Sequence, residues 1–377
     1  MSDADIGKKT GRIVSLDALR GLTIAAMILV NNPGSWSHVY RPLRHAEWHG
    51  WTLADLVFPF FLFIVGVSIA ISFGRRLEAE GDKRPLYLKI VRRSLILFAL
   101  GLLLNGFPYY DLSTIRIPGV LQRIAVCYLA SAVIFLNSRW KGQIAWAAGL
   151  LFVYWAAMEW IPFPGGTAGL YERGNNLASW IDGRLLAGHM WAVTKTWDPE
   201  GILSTVPAVS TTLLGLLAGR WLTGDRQPRD KAVWLIAGGA AAAAAGSLWH
   251  LAMPINKSLW TSSYALFTAG LASAGLGALH WLADARGWKR WTMPARVLGV
   301  NAIAAYVLAG VAARLLHLVT IAGPGGEPVT LEVWIYDTLF ASWLGGLNAS
   351  LAYAAAFVIA VWLCMLPLYR ARVYIKI

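Results

Sequence analysis

The amino-acid sequence predicts an all-α polytopic membrane protein with about ten transmembrane helices and both termini in the cytoplasm. Three observations support this prediction. Hydrophobic residues make up 57% of the 377-residue chain, and the mean hydropathy is +0.53. Only 14% of the residues are charged, whereas soluble domains contain about 25%. Apolar runs of about 18 or more residues recur along the whole chain, and each run can cross a bilayer about 30 Å thick.

Ten segments have the length and composition of a transmembrane helix. They lie at 16–32, 53–73, 90–106, 118–136, 143–161, 203–222, 232–250, 259–281, 296–318 and 347–369. The segment 331–343 is aromatic and apolar but short, so we interpret it as an interfacial or re-entrant helix. The chain, 1–377, then forms a single transmembrane domain with a long extracytoplasmic loop at about 162–202.

The distribution of lysine and arginine predicts the orientation. Of the 33 basic residues, 24 fall on the side that carries the termini, among them Lys8, Lys9, Arg12 and Lys376, and 9 fall on the other side. Because cytoplasmic loops carry the excess of basic residues, we expect the termini to be cytoplasmic. This asymmetry also explains the net charge of +13 without a nucleic-acid partner. No small-residue cleavage site follows the first span, so we expect no cleavable signal peptide.

The stretch RHAEWHGWTLADLVFPFFLF, at 44–63, joins the first two predicted spans and holds a histidine and an aspartate ten residues apart, His45 and Asp55. An ionisable group at membrane depth is costly, which makes a function for Asp55 the first hypothesis. A carboxylate bonded to one imidazole nitrogen fixes the tautomer and raises the basicity of the other nitrogen. Such a pair can take a proton from an amine or hydroxyl that attacks an acyl group, or can accept the acyl group itself. The alternatives are that Asp55 only caps a helix and that His45 is an ordinary surface residue.

Other polar residues gather at the predicted outer ends of the spans and suggest one polar cavity. Asn31 ends the first span, and Lys257 and Trp260 open the eighth. Arg116 and Arg123 are seven residues apart in RIPGVLQR, which places them on nearly one helical face. The alternatives are headgroup anchoring for Arg116 and an aromatic belt for the tryptophans.

Seven motifs resemble those of one known family. They are SLDALRG (15–21), ILVN (28–31), HAEWHGWTLADLVFPFFLFIVG (45–66), RIPGVLQR (116–123), WDPEGIL (197–203), INKSLWTSSY (255–264) and GVNAIAAY (299–306). In this order they resemble the heparan-α-glucosaminide N-acetyltransferase family of transmembrane acyltransferases, including its shorter bacterial members.

The resemblance implies a function and a set of site residues. It implies transfer of acetyl from cytoplasmic acetyl-CoA to the amino group of glucosamine or a glucosamine-containing sugar, in the bacterial inner membrane and without a metal. His45 is then the catalytic base or nucleophile, with Asp55 as its partner. A heparan polymer is not the expected acceptor, because the large N-terminal lumenal domain of the lysosomal enzyme is missing here. The expected substrate-binding residues are Asn31, Arg116, Gln122, Arg123, Asp198, Glu200, Asn256, Lys257, Trp260 and Asn301.

CoA is polyanionic, so cations near cytoplasmic span ends are its expected ligands: Arg20, Arg92 and Arg93. The same residues suit positive-inside anchoring equally well. Two other functions stay open, an O-acetyltransferase of cell-envelope glycan and an amino-sugar permease. The oligomeric state, a homodimer included, is also open.

Overall fold

The computed structural model of the protein describes residues 13–80, 83–323 and 326–375. Lys8, Lys9, Arg12 and Lys376, which entered the charge count, lie outside the described residues. The chain is mostly helical, as predicted. Its α-helices are α1 (Val14–Asn31), α2 (Leu53–Glu80), α3 (Arg84–Gly106), α4 (Val120–Asn137), α5 (Trp140–Trp160), α6 (Leu177–Leu185), α7 (Thr205–Thr223), α8 (Pro228–Trp249), α9 (Ser262–His280), α10 (Met293–Gly299), α11 (Ala302–Leu318), α12 (Leu331–Tyr336) and α13 (Gly346–Arg370).

Short elements complete the described part of the chain. Strands β1 (Thr320–Ala322) and β2 (Pro328–Thr330) pair in an antiparallel hairpin. A π-helical turn, Asp337–Ala341, continues α12. This segment is too short to cross a bilayer, which agrees with the interpretation of 331–343 as a non-spanning helix.

Six helical segments of the described chain are long and apolar enough to cross a membrane, and a bent pair of helices makes a seventh candidate. The six are Val14–Asn31, Leu53–Gly74, Val120–Asn137, Pro228–Trp249, Ser262–Ala285 and Gly346–Arg370. A helix also lies at each other predicted span, but α3, α5 and α7 are not among these candidates.

The predicted span 296–318 is not one straight helix. Arg290–Gly299 and Ala302–Leu318 meet at an angle of 64°. Asn301, between them, has φ −124° and ψ 42°, which is not helical. Its side chain hydrogen-bonds the backbone of Val373 and Ile375 instead, so the bend is held by the C-terminal segment.

The contacts divide the chain into two compact units. The first unit holds the chain up to His45, the segment Thr52–Val57 and the chain from Gly287 onward. Within it, α1 and α10 pack backbone against backbone. A Cβ on Gly21 would lie 1.7 Å from the carbonyl oxygen of Ala295. Only glycine allows the two backbones to come this close. Small residues at helix contacts are typical of membrane proteins.

The second unit holds Ala46–Trp51 and Phe58–Arg286. Helices α2 and α7 approach closely in the same way, since a Cβ on Gly66 would lie 1.8 Å from the carbonyl oxygen of Thr212. The long loop at 162–202 is well folded: it contains α6, and its Phe163 and Leu177 belong to a buried cluster with Tyr154 of α5. This loop carries Asp182, Asp198 and Glu200.

Candidate active site

His45 and Asp55 are in direct contact within the first unit. Imidazole Nδ1 of His45 donates a hydrogen bond to Oδ1 of Asp55 at 2.8 Å. Asp55 lies in the first turn of α2, and its Oδ2 accepts the backbone N–H of Thr52 at 3.0 Å. The hydroxyl of Thr52 donates to the carbonyl oxygen of Arg44 at 2.8 Å, which closes the loop that carries His45. Asp55 therefore caps its helix and orients His45 at the same time.

The exposure of this pair distinguishes it from two other histidine–carboxylate pairs. The Asp55 side chain is 0% exposed, whereas the His45 side chain is 41% exposed. The His280 ring, 3.0 Å from Asp284, is only 8% exposed. The ring of His317 is 77% exposed and lies 3.5 Å from Glu332. Of these pairs, His45–Asp55 alone joins a fully buried carboxylate to an imidazole that a substrate can reach.

The geometry fixes the chemistry available to His45. An ionised carboxylate only accepts hydrogen bonds, so Nδ1 carries the proton and Nε2 is the basic nitrogen. The buried negative charge stabilises the imidazolium that forms when Nε2 takes a proton. The pair can therefore act as a general base, and Nε2 can equally attack an acyl carbon.

The residues that follow His45, 46–51, are held within the second unit. Trp48 Nε1 donates to the carbonyl oxygen of Tyr171 at 2.7 Å, and Gly50 N donates to that of Ile255 at 2.8 Å. His49 Nδ1 lies 3.4 Å from Nδ2 of Asn256. Burial is the main effect that lowers the pKa of His49, and the neighbouring His250 lowers it further. The ring of His49 is therefore neutral at physiological pH. A neutral His49 can accept from Asn256 and so help to hold this loop.

The side chains of Arg116, Asp198 and Glu200 are in contact, and their hydrogen bonds are made to one another. Arg116 Nε and Nη2 donate to Asp198 at 2.8 and 2.6 Å, and Nη2 also donates to Glu200. Burial alone lowers the pKa of Arg116, but Glu200 and Asp198 outweigh it and raise that pKa. Asp198 further accepts the backbone N–H groups of Trp191 and Glu200, both at 2.9 Å. A carboxylate has about four acceptor positions, so Asp198 has none left for a substrate and instead fastens the long loop.

Arg123 lies deeper in the second unit and is less well satisfied. Its Nη2 donates to the carbonyl oxygen of Gly201 at 3.1 Å and to Oγ of Ser204. Its guanidinium lies 5.1 Å from the ring centroid of Trp260. Arg123 is only 2% exposed, yet Nε and Nη1 have no partner within the described structure. A buried cation with two unpaired N–H groups is a candidate for binding a ligand.

Trp260 supports Arg123 and does not present a free indole face. It is 1% exposed, and Nε1 donates to Oγ1 of Thr211 at 3.1 Å. Its φ of +47° is a left-handed conformation that is rare for a bulky residue. Strain of this kind clusters at functional sites. The indole of Trp260, one of the expected substrate-binding residues, is therefore packed inside the protein.

Asp182, on α6, is a buried carboxylate beside Asp198 that sequence reasoning missed. Its carboxylate accepts the backbone N–H groups of Ile202 at 2.9 Å and Asp198 at 3.3 Å. Burial raises its pKa from 3.8 to about 6. A Cβ on Gly201 would lie 2.0 Å from its Oδ2, so the loop passes directly over it. Nothing in the local pattern ASWIDGRL marks this aspartate as buried.

The remaining expected substrate-binding residues differ in their surroundings. Asn31 is exposed at the end of α1, and Lys257 is half-buried. The amide oxygen of Asn256 accepts the N–H of Leu259 at 2.9 Å, so this residue shapes its own turn. Gln122 packs against Gly101, and its Nε2 has no partner within the described structure. Asn301 is engaged by the C-terminal segment, as described above.

The three cations expected at CoA differ in their surroundings. Arg20 Nη1 donates to Asp17 at 3.1 Å and to the carbonyl oxygen of Gly299 at 3.2 Å. Arg92 is exposed. The Arg93 guanidinium lies 4.8 Å from the ring centroid of Tyr128. Among the described residues, no group of three or more His, Cys, Asp or Glu side chains is arranged to hold a metal ion.

The fold and site define a mostly helical protein with several candidate membrane-spanning helices and an accessible histidine backed by a buried carboxylate. Residues 12–246 match the family described as heparan-alpha-glucosaminide N-acetyltransferase, catalytic. Over 353 residues the chain is 31% identical to heparan-alpha-glucosaminide N-acetyltransferase of Homo sapiens. The alignment covers 78% of this chain and 52% of the human protein. The protein of the same name from Mus musculus is 30% identical over 357 residues, covering 78% of this chain and 53% of that protein.

The chain belongs to the heparan-α-glucosaminide N-acetyltransferase family, which confirms the resemblance found in the sequence. It spans about half the length of the curated relatives that it matches.

Proposed function

We propose that this protein is a membrane-bound acetyltransferase that moves acetyl from cytoplasmic acetyl-CoA to the amino group of glucosamine or a glucosamine-containing sugar. Membership of the family supports the reaction class. The observation that carries the proposal for this chain is the His45–Asp55 hydrogen bond of 2.8 Å, with the carboxylate buried and the imidazole accessible.

The proposal includes the topology. Ten spans with cytoplasmic termini, in the bacterial inner membrane, agree with the distribution of basic residues and with a helix at each predicted span. The loops at 44–52 and 162–202 then lie on the side away from the cytoplasm, where the acceptor sugar binds.

The simplest mechanism is direct attack by the neutral amine on the thioester carbonyl of acetyl-CoA. The amine nitrogen bonds to the carbonyl carbon while Nε2 of His45 takes one of its protons, and Asp55 stabilises the imidazolium. The tetrahedral intermediate collapses, the carbon–sulfur bond breaks, and the thiolate of CoA leaves with the electron pair. The imidazolium returns its proton to that thiolate, and the products are the N-acetyl sugar and CoA.

The test compares two histidine variants. We expect His45→Ala to abolish acetyl transfer while thermal stabilisation by CoA is retained. His317→Ala removes a surface histidine that also faces a carboxylate, and it should leave the rate unchanged. Substantial transfer by a well-folded His45→Ala protein would overturn the role of His45. Failure of CoA to stabilise the wild-type protein would instead favour the permease.

A second experiment separates direct attack from an acetyl-His45 intermediate. Enzyme alone is incubated with acetyl-CoA labelled in the acetyl group and is then quenched rapidly. Direct attack predicts no label on the protein. Label on His45 that is released by glucosamine would establish the covalent route and keep the proposed reaction.

A further inference from the structure

Two segments of the second unit are joined by hydrogen bonds that end on a histidine. They are the 46–51 loop, Ala46–Trp51, and the 250–261 segment, which connects α8 to α9. Gly50 N donates to the carbonyl oxygen of Ile255 at 2.8 Å, and Ile255 N donates in turn to Nδ1 of His250 at 2.9 Å. Ile255 is 5% exposed, so water does not readily replace His250 as its acceptor. His250 therefore holds in place the residue to which the loop is bound.

The bond from Ile255 fixes the protonation state of the His250 ring. A backbone N–H only donates, so Nδ1 of His250 must accept, and the neutral ring carries its proton on Nε2. A protonated imidazole has an N–H at both nitrogens and no acceptor. Protonation of His250 thus sets two donors against each other at Ile255 and removes this bond.

A second histidine meets the 250–261 segment in the same way. Nδ1 of His49 lies 3.4 Å from Nδ2 of Asn256. The amide of Asn256 has a defined orientation, because its Oδ1 accepts the N–H of Leu259 at 2.9 Å. Nδ2 is therefore the donor and His49 the acceptor, and protonation of His49 removes this longer bond as well.

The two rings also interact electrostatically. After burial, His250 is the charged group that lowers the pKa of His49. Positive charge on both rings is therefore unfavourable, and this repulsion adds to the loss of the two bonds. Three other charged residues lie on the segments that meet here: Glu47, Arg173 and Lys257. The one carboxylate among them, Glu47, is exposed, and water screens such a charge strongly.

Helix α5 packs against the same segment and brings two titratable side chains. The hydroxyl of Tyr154 donates to the carbonyl oxygen of Leu259 at 2.6 Å. Glu159 accepts a hydrogen bond from the hydroxyl of Tyr171 at 2.9 Å. Both groups are thus bound to partners other than the two histidines.

The pH range of the effect follows from the side chain. Histidine changes charge between about pH 5 and 8, and both His49 and His250 are exposed, so protons reach them from solvent. The two bonds require neutral rings. They are therefore present at neutral pH and are lost as the pH falls.

We infer that His250 and His49 form a pH-sensitive switch: as neutral rings they hold the 46–51 loop on the 250–261 segment, and as imidazolium ions they release it. Ala46 is peptide-bonded to His45, so the switch determines whether the chain on one side of His45 is fixed. The inference concerns this loop and holds for any reaction that His45 performs.

The experiment measures hydrogen–deuterium exchange of the purified full chain at about pH 7.5 and about pH 5, on either side of the histidine range. The rates are expressed as protection factors, which removes the intrinsic effect of pH on exchange. We expect the protection of the Gly50 and Ile255 amides to fall about tenfold or more at the lower pH, the scale of one lost hydrogen bond. Protection within α7, the internal reference, should not change.

Asparagine variants separate the acceptor from its titration. In His250→Asn the amide oxygen takes approximately the place of Nδ1 and accepts from Ile255 at both pH values. The double variant His49→Asn, His250→Asn should therefore keep the loop protected at about pH 5. His250→Ala has no acceptor, so its loop should be poorly protected at both pH values.

His189→Asn is the matched control. Nδ1 of His189 faces the carbonyl oxygen of Ile115 at 2.9 Å. A carbonyl oxygen only accepts, so this nitrogen donates whether the ring is neutral or charged. The loss of loop protection at the lower pH should therefore be the same in His189→Asn as in the wild-type protein.

A second measurement reports the tautomers directly. Nuclear magnetic resonance of the chain labelled with ¹⁵N-histidine should show His49 and His250 protonated at Nε2 alone near neutral pH. A proton on Nδ1 of neutral His250 would overturn the inference. So would unchanged loop protection in the wild-type protein, an equal loss within α7, or a loss that persists in the double asparagine variant. The asparagine variants decide the matter even if His250→Ala does not fold.

Discussion

Replacement of Asp55 by asparagine separates the charge of the buried carboxylate from its shape. The amide oxygen of asparagine can keep the bond from Thr52 N, which Asp55 Oδ2 accepts at 3.0 Å. The amide nitrogen then faces Nδ1 of His45, where Oδ1 now lies at 2.8 Å. Because an amide nitrogen only donates, His45 must accept at Nδ1 and carry its proton on Nε2. The basic lone pair is then on the wrong nitrogen.

Two effects combine in the expected magnitude. A hydrogen bond to a charged group contributes about 1.5–3 kcal/mol, and its loss alone lowers the rate about 10- to 100-fold. The wrong tautomer adds to this loss, and the equivalent exchange in Ser-His-Asp triads lowers kcat by about 10⁴. We therefore expect kcat to fall by about 10³ to 10⁴. The melting temperature should change little, because the bond that caps α2 is retained.

The assay is acetyl transfer to glucosamine at saturating acetyl-CoA, with a thermal melt for folding. Thr52→Val is the matched control, since it removes a hydroxyl beside the carboxylate but keeps the charge, and should cost less than about tenfold. The double variant His45→Ala, Asp55→Asn should be no slower than His45→Ala, because the two residues act as one unit. An Asp55→Asn protein that loses stability but keeps most of its kcat would refute this reasoning, leaving Asp55 as a helix cap.

Three further changes test the surrounding structure. Burial raises the pKa of Asp182 from 3.8 to about 6, so Asp182 binds its proton more tightly in the folded protein. Its contribution to the free energy of unfolding is about 3 kcal/mol. This contribution is fully present below about pH 4 and is lost as the pH rises through about 6. Asp182→Asn should flatten that slope in thermal melts, whereas the exposed Asp225→Asn should not. Gly66→Ala places a Cβ 1.8 Å from a carbonyl oxygen of α7 and should cost about 1–3 kcal/mol in the free energy of unfolding; Gly149→Ala, with open space around it, should not. His49→Ala removes one long hydrogen bond and should lower kcat by less than about tenfold; a loss equal to that of His45→Ala contradicts this assignment.

The positions of the helices were accessible to sequence reasoning because apolar runs mark them, although α3, α5 and α7 are not among the candidate membrane spans. A helix lies at each predicted span, since a run of apolar residues must satisfy its backbone internally in lipid. The bend at Asn301 was not accessible. Its apolar neighbours read as one continuous span, and the break depends on hydrogen bonds to Val373 and Ile375, more than 70 residues away.

The contact of His45 with Asp55 was permitted by the sequence but not required by it. A separation of ten residues allows many loop conformations. The observed one includes a hydrogen bond from the hydroxyl of Thr52 to the carbonyl oxygen of Arg44 and the short 3₁₀ turn Arg41–Leu43 before it. These are ordinary loop residues, and their effect on the site follows only from their positions in space.

Arg123 and Asp198 show which physical quantity the sequence does not carry. Both residues are polar, both lie in specific motifs, and both were expected to bind the substrate. In the structure Asp198 accepts four hydrogen bonds from the protein, whereas Arg123 leaves two of its nitrogens without a partner in the described chain. A buried group that is fully satisfied gains little from a ligand, because each new bond must replace one that already exists. A buried group with unused donors gains the whole bond, so the remaining hydrogen-bonding capacity, which no sequence motif reports, is what distinguishes Arg123 from Asp198.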